Sequence, residues 1–203
     1  QQDIAARRIG KLIVMTQTHD RMRAEYNENA SKLQAWIDGK VADLNQHNWD
    51  NTLEGIKNLL ASFYEYKGAE KGEKITDHMD VEALYNDLAL RLQNNKRPPF
   101  EPPLCQVTLE QLAEKLSALE EAENNRNKAM QVELARQIKL QKWAARFDAD
   151  SAKFSTWLSE KDAYVSKQET ANSVAEAQNN LNVLAAYKTE YENVRETRLS
   201  ALT

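Results

Sequence analysis

Glycine and proline are scarce: together they number nine of 203 residues, and all four prolines fall between Pro98 and Pro103. Outside that stretch long helices can run with few breakers. The single cysteine, Cys105, allows no internal disulfide and is consistent with a reducing compartment. No apolar run approaches the roughly 20 residues that a spanning helix needs. Asp3, Arg7, Arg8 and Lys11 break up the start of the chain, so a signal-type apolar core is missing and the cytoplasm is the default reading. A basic excess is missing too: the net charge is -4 and the isoelectric point about 5.5, against a general nucleic-acid binder or a Lys/Arg-lined membrane-bending face.

Chemistry-bearing motifs are equally sparse. There is no nucleophile elbow, phosphate loop or dinucleotide fingerprint. His19, His47 and His78 lack ligand spacing, and Cys105 has no recognisable partner histidine. Glu120 and Glu121 are adjacent on a helix and point to different faces. No catalytic, cofactor-binding or metal-ligating residue is therefore expected, and the chain reads as a non-enzyme.

What is present is helical. Charged residues are 29% of the chain and mean hydropathy is -0.74, which suits long solvated helices with narrow apolar stripes. Tyr26, Leu33, Trp36 and Ile37 recur as Phe147, Phe154, Trp157 and Leu158, so that the two tryptophans lie 121 positions apart. A repeat of that length with helical spacing inside it predicts stacked helical modules.

A first helix is predicted from about Asp3 to Leu44, its seam carried by Leu12, Met15, His19, Met22, Tyr26, Asn29, Leu33, Trp36 and Lys40. After a turn at Asn45–Asn51, Asn51 or Thr52 can cap a second helix whose stripe opens at Leu53, Ile56, Leu60 and Phe63. Gly68 and Gly72 predict a kink, each weakening a helix by roughly 1 kcal/mol relative to Ala. The stripe resumes at Val81, Leu84, Leu88 and Leu92. Pro98-Pro99-Phe100-Glu101-Pro102-Pro103 reads as a stiff loop with Phe100 tucked onto the bundle. Thr108 and Gln111 then offer a capping box, and Leu109, Leu112, Leu116 and Leu119 form a third seam. From Gln106 to Gln168 there is neither Pro nor Gly, so one helix of about 60 residues, roughly 90 Å long, is predicted. Its stripe fades between Glu120 and Lys128 and returns on a shifted face at Met130, Leu134 and Ile138. That places a handover inside a continuous helix: residues 1–124 as a first module and 125–203 as a second. A turn at Gln168–Asn172, a cap at Asn172 or Ser173, and a stripe through Val174, Ala177, Leu181, Leu184, Tyr187, Tyr191, Val194 and Leu202 complete it. The second module is expected to show two helices within residues 125–203, its third either lying beyond Thr203 or donated from elsewhere.

The fold expected is all-α: tandem three-helix bundles joined by a continuous helix into an elongated rod. Trp36, Leu33, Tyr26, Phe63, Leu112, Leu116, Phe147, Phe154, Trp157 and Leu158 are its predicted core residues.

This pattern resembles the spectrin repeat. Ala5-Ala6-Arg7-Arg8-Ile9-Gly10-Lys11, the Gln17–Tyr26 stretch and Ala30–Ile37 resemble the neck and first rod repeat of α-actinins. Arg97-Pro98-Pro99-Phe100-Glu101-Pro102 resembles the loop of that repeat, and Lys115–Glu123 its closing helix. Glu133–Gln137 through Phe147 to Lys161 is more similar to the last rod repeat than to the second, the pattern of short-rod α-actinins of unicellular eukaryotes. The resemblance implies the rod of an actin cross-linking protein. Such a rod is an antiparallel homodimer in the cytoplasmic cytoskeleton, spacing two heads that bind actin through calponin-homology domains. Calcium belongs to EF-hand modules, whose Asp-x-Asp-x-Asx-Gly loop does not occur here. The alternative is a spectrin-repeat scaffold that docks signalling or membrane-receptor tails on exposed helix faces.

The charge pattern is compatible with antiparallel pairing. Residues 41–95 hold ten acidic and five basic side chains, residues 101–124 six and one, and residues 126–160 four and seven. Trp143, Arg136, Lys139 and Lys142 are the candidate dimer contacts.

Overall fold

The computed structural model describes residues 2–167 and 170–202, with the backbone alone at Gln2, Leu199, Ala201 and Leu202. The predicted turn at Gln168–Asn172 thus falls partly outside the described residues. Five helices account for nearly all of them: α1 (Gln2–Leu44), α2 (Leu53–Gly68), α3 (Glu70–Asn94), α4 (Leu109–Val165) and α5 (Val174–Leu202). There is no strand among the described residues. The chain divides into two compact units, Gln1–Ala135 and Arg136–Thr203.

Unit 1 packs α1, the α2–α3 pair and the first part of α4 around one core. Tyr26, Ile37, Ile56, Leu88, Leu92, Leu112, Leu119 and Met130 are its fully enclosed side chains. Local chemistry sets the helix ends. Thr52 Oγ1 accepts the Gly55 N–H at 3.0 Å and starts α2. Thr108 and Gln111 satisfy each other reciprocally, Thr108 N–H to Gln111 Oε1 at 2.9 Å and Gln111 N–H to Thr108 Oγ1 at 3.2 Å, and start α4. The predicted kink falls at Ala69 (φ -109°, ψ -76°). The Ala69 N–H still reaches Glu65 O at 2.9 Å, so the axis breaks while the backbone stays bonded across it. At the end of α3, Lys96 takes a left-handed φ of 53° while the Arg97 N–H reaches back to Leu92 O at 2.8 Å, a Schellman-type stop.

The proline loop is strapped to α1. Phe100 is buried, its ring 5.4 Å from Tyr26 and edge-on at 87°. The Tyr26 hydroxyl donates to Val107 O at 2.8 Å, and Asn27 holds Leu104 O and the Gln106 N–H at 2.9 and 3.0 Å. Close by, His19 is buried with Nε2 3.3 Å from Asn95 Nδ2. Burial first, then the charges of Arg23 and Arg97, push its imidazole below the ordinary histidine range, with Asp20 opposing.

The handover lies later than the stripe suggested. Met130 is enclosed in the first core and Leu134 packs against it, so both belong to unit 1, which runs to Ala135 and not to residue 124. Helix α4 nonetheless runs without a break from Leu109 to Val165.

Unit 2 is the remainder of α4 and α5. Ser173 Oγ accepts the Glu176 N–H at 3.1 Å while Glu176 Oε2 accepts the Asn172 N–H at 2.8 Å. Its small core centres on Trp157, stacked between Phe154 (5.8 Å) and Tyr191 (5.5 Å).

Candidate interaction surface

Shifting unit 1 by 121 residues lays it on unit 2 without a gap. Trp36 falls on Trp157, Lys40 on Lys161, Thr52 on Ser173, Tyr66 on Tyr187 and Lys67 on Lys188. Thr52 and Ser173 both cap the second helix of their unit. The register therefore extends far beyond the tryptophan motif and permits a residue-by-residue comparison.

In unit 1 two carboxylates organise this set. Trp36 Nε1 donates to Glu70 Oε1 at 2.9 Å, and Lys40 Nζ meets Glu70 Oε2 at 2.9 Å. The Lys40 hydrogen bond holds the Glu70 carboxyl below the usual range against the opposing cost of burial. Glu123, on α4, is almost fully buried: the Tyr66 hydroxyl donates to Oε1 at 2.9 Å, and Lys71 and Lys67 approach Oε2 at 2.8 and 3.3 Å. Burial alone would raise its pKa. Hydrogen bonds from Lys71, Tyr66 and Lys67 outweigh that and hold the carboxyl below its usual range. Burial, reinforced by Glu123, raises the Tyr66 phenol, which keeps it a donor. One helix thus closes unit 1 through a leucine seam and a buried anion. Sequence reasoning missed Glu123 because a carboxylate on a seam reads as a fading stripe; the signal was Lys67 and Lys71 lying i, i+4 across the kink.

In unit 2 the set persists only in part: Lys161, Tyr187 and Lys188 stand in register with Lys40, Tyr66 and Lys67, whereas Glu192 stands in register with Lys71. Tyr191 stands in register with Glu70. Trp157 Nε1 is buried and meets no acceptor among the described residues. Lys161 turns to Glu190 at 3.0 Å and lies 4.8 Å from the Tyr187 ring centroid, while the Tyr187 hydroxyl reaches only Lys161 O at 3.3 Å. Lys188 makes no ion pair among the described residues.

Burial follows the same division. Tyr26, Leu33, Phe63, Leu112 and Trp157 are buried, and Trp36, Leu116 and Phe154 partly so. Phe147 and Leu158, expected in the core, are 53% and 41% exposed, whereas their counterparts Tyr26 and Ile37 are 0%. Leu181 is 60% exposed against 7% for Leu60. Among the described residues of unit 2, α5 and the later part of α4 are the helices present, and these positions stand uncovered by them. An apolar groove results, lined by Val165, Leu181, Leu184, Tyr187, Lys188 and Tyr191. Among the candidate dimer contacts, Trp143 is 65% exposed, and Arg136, Lys139 and Lys142 are exposed on the same helix. Trp143 is in register with Met22, a core residue of unit 1. Among the described residues no helix is long and apolar enough to cross a membrane, and no cluster of His, Cys, Asp or Glu is arranged to hold a metal.

Comparison with known proteins accords with this geometry. The spectrin-repeat family model matches twice, over residues 21–131 and 142–203. Alpha-actinin A of Dictyostelium discoideum is 28% identical over 192 residues, 95% of this chain and 22% of that protein. The spectrin beta chain of Drosophila melanogaster is 32% identical over 167 residues, 82% of this chain and 7% of that protein. Human non-erythrocytic spectrin beta chain 4 is 30% identical over 165 residues, 81% of this chain and 6% of that protein. The chain thus spans less than a quarter of these relatives. Two tryptophan-centred helical units in one register, drawing on a single unbroken α4 and each matched by the same model, make this chain a member of the spectrin-repeat family, a structural scaffold related to both α-actinin and spectrin.

Proposed function

We propose that this chain is the rod of an actin cross-linking protein of the cytoplasmic cytoskeleton, holding two actin-binding heads apart by antiparallel homodimerisation. The observation that carries the reading is the reversal of charge along the chain. Residues 41–95 and 101–124 hold sixteen acidic and six basic side chains, and residues 126–160 hold four and seven. Antiparallel alignment sets each acidic stretch against the other chain's basic one, which selects orientation and steers association. Arg136, Lys139, Lys142 and Trp143 supply cationic and aromatic surface on the basic stretch. Coverage of nearly the whole chain by an alpha-actinin adds support. Actin contact is assigned to calponin-homology domains and calcium response to EF-hand modules, both outside residues 1–203.

Sedimentation equilibrium of the chain across a salt series tests this. A dimer weakened by salt, and by the Lys139→Glu/Lys142→Glu pair, is expected. A strict monomer at high micromolar concentration overturns it.

A further inference from the structure

We infer that Arg23, Arg91 and Arg97 form a binding site for a phosphate group beside His19, at the end of unit 1 where α1 meets the end of α3. The inference goes beyond the spacer reading and does not depend on dimerisation.

Two elements converge there. His19 on α1 is buried, and its Nε2 lies 3.3 Å from Asn95 Nδ2 at the end of α3. Arg23 stands one turn further along α1. Arg91 stands one turn before Asn95, and its carbonyl accepts the Asn95 side-chain amide at 2.8 Å. The charges bearing on the imidazole are Arg23 and Asp20 from α1, Arg91 from α3 and Arg97 just beyond it. Cations thus dominate this spot in a chain whose net charge is -4. Asp20 and Asp87 pair with Arg23 and Arg91 within their own helices, both at 3.0 Å, but these carboxylates are 61% and 48% exposed and hold their partners weakly. Arg97 makes no ion pair among the described residues.

Arg23 carries the sharpest sign. Its Nη1 donates to Asp20, while its Nε is buried and meets no acceptor among the described residues. A buried donor without an acceptor is costly and calls for a partner. Nε and Nη2 form the guanidinium edge that takes two oxygens of one phosphate side by side. The register shows that the helix does not require these groups: shifted by 121, His19 and Arg23 fall on Leu140 and Ala144. Helix-end electrostatics account for cations near the C-terminus of α3, but not for His19 and Arg23 within α1. Charge selects the ligand. Three guanidinium groups exceed what one carboxylate offsets, whereas a phosphate group brings up to two charges and three acceptor oxygens. A bound phosphate would also offset the cations that disfavour a charged imidazole, so binding and protonation of His19 favour each other.

The test titrates the 203-residue chain with inorganic phosphate, chloride holding the ionic strength constant. Binding is read by the ring C–H resonances of His19, His47 and His78, with His19 assigned through His19→Gln. The expected result is a saturable shift at His19, its titration midpoint moved to higher pH, and neither change at the other two. Arg23→Gln and Arg97→Gln should each weaken binding about tenfold or more, since a charge-assisted hydrogen bond is lost. Arg97 is exposed, so that variant folds. A second arm uses vesicles of phosphatidylcholine carrying phosphatidic acid. A His19 response to free phosphate assigns a soluble phosphate group. Co-sedimentation with the vesicles that both arginine variants lose, without a response to free phosphate, assigns a lipid headgroup. No response in either arm overturns the proposal. So does a shift shared by all three histidines, or binding that both arginine variants leave unchanged, since either marks a general salt effect.

Discussion

Replacing Glu123 by Ala tests how unit 1 is closed. The Tyr66 hydroxyl loses a charged acceptor at 2.9 Å, worth about 1.5 kcal/mol or more. Lys71, whose side chain is 14% exposed, keeps a charge with its nearest anion gone. Lys67, at 39%, can turn to water and adds little. The expected cost is about 3 kcal/mol, at the lower end for breaking a buried pair. Removing the partners as well should recover most of it: Glu123→Met with Lys71→Met and Tyr66→Phe leaves no orphaned polar group and is expected within about 1 kcal/mol of the parent. The assay is urea unfolding by circular dichroism, with hydrogen exchange at Gly68–Ile75 to localise the loss. The pH dependence has a definite sign. The folded carboxyl lies below the ordinary glutamate value of 4.5, so the stabilisation is complete above that value and lost as pH falls through the lower folded one. The gap between parent and Glu123→Ala should therefore narrow as pH falls below 4.5. A penalty under about 0.5 kcal/mol at pH 7, or one that does not shrink at all as pH falls below 4.5, would refute the reasoning.

The same contacts set further expected outcomes. Trp36→Ala should cost about 3 kcal/mol, low in the range for large aromatics because Trp36 is only partly buried, and Trp36→Phe about 1 kcal/mol through the lost Glu70 bond; thermal melts indistinguishable from the parent would place Trp36 outside the core. Lys96→Gly should raise stability by up to about 1 kcal/mol, since φ 53° strains a side-chain-bearing residue; a lower denaturation midpoint would show that no strain was relieved. The buried His19 favours its neutral form in the fold, so stability should be full above the ordinary histidine value of 6.5 and decline as pH falls below it. His19→Gln, which keeps a partner for Asn95, should flatten that decline, and an unchanged pH profile would assign it elsewhere.

The helix ends and loop anchors were legible because they depend on local chemistry. Thr52, Thr108 and Ser173 cap as their neighbours dictate, the glycine pair marks the kink, and Phe100 returns to the bundle because its loop has no other apolar seat. Glu123 was not legible from periodicity, which scores any carboxylate as an interruption whether solvated or buried on two lysines. Periodicity misplaces Met130 for the same reason: the stripe skips the buried charge, and the next apolar positions look like a new face. The exposure of Phe147 and Leu158 lay beyond periodicity as well. A stripe states that a face wants covering, and only the position of other helices decides whether it is covered. The full 121-residue register, from the tryptophans through Lys67 and Lys188, was open to a direct overlay of the sequence on itself.

The most direct test of the spacer account is an intermolecular distance. Chains carrying Cys105→Ala are spin-labelled singly, one population at Ser117 in the acidic stretch and another at Ala145 in the basic stretch, both exposed on α4. Antiparallel pairing predicts short distances in the mixed sample and long ones when either population is measured alone. Short distances between like-labelled chains, or no intermolecular coupling in any sample, would contradict it.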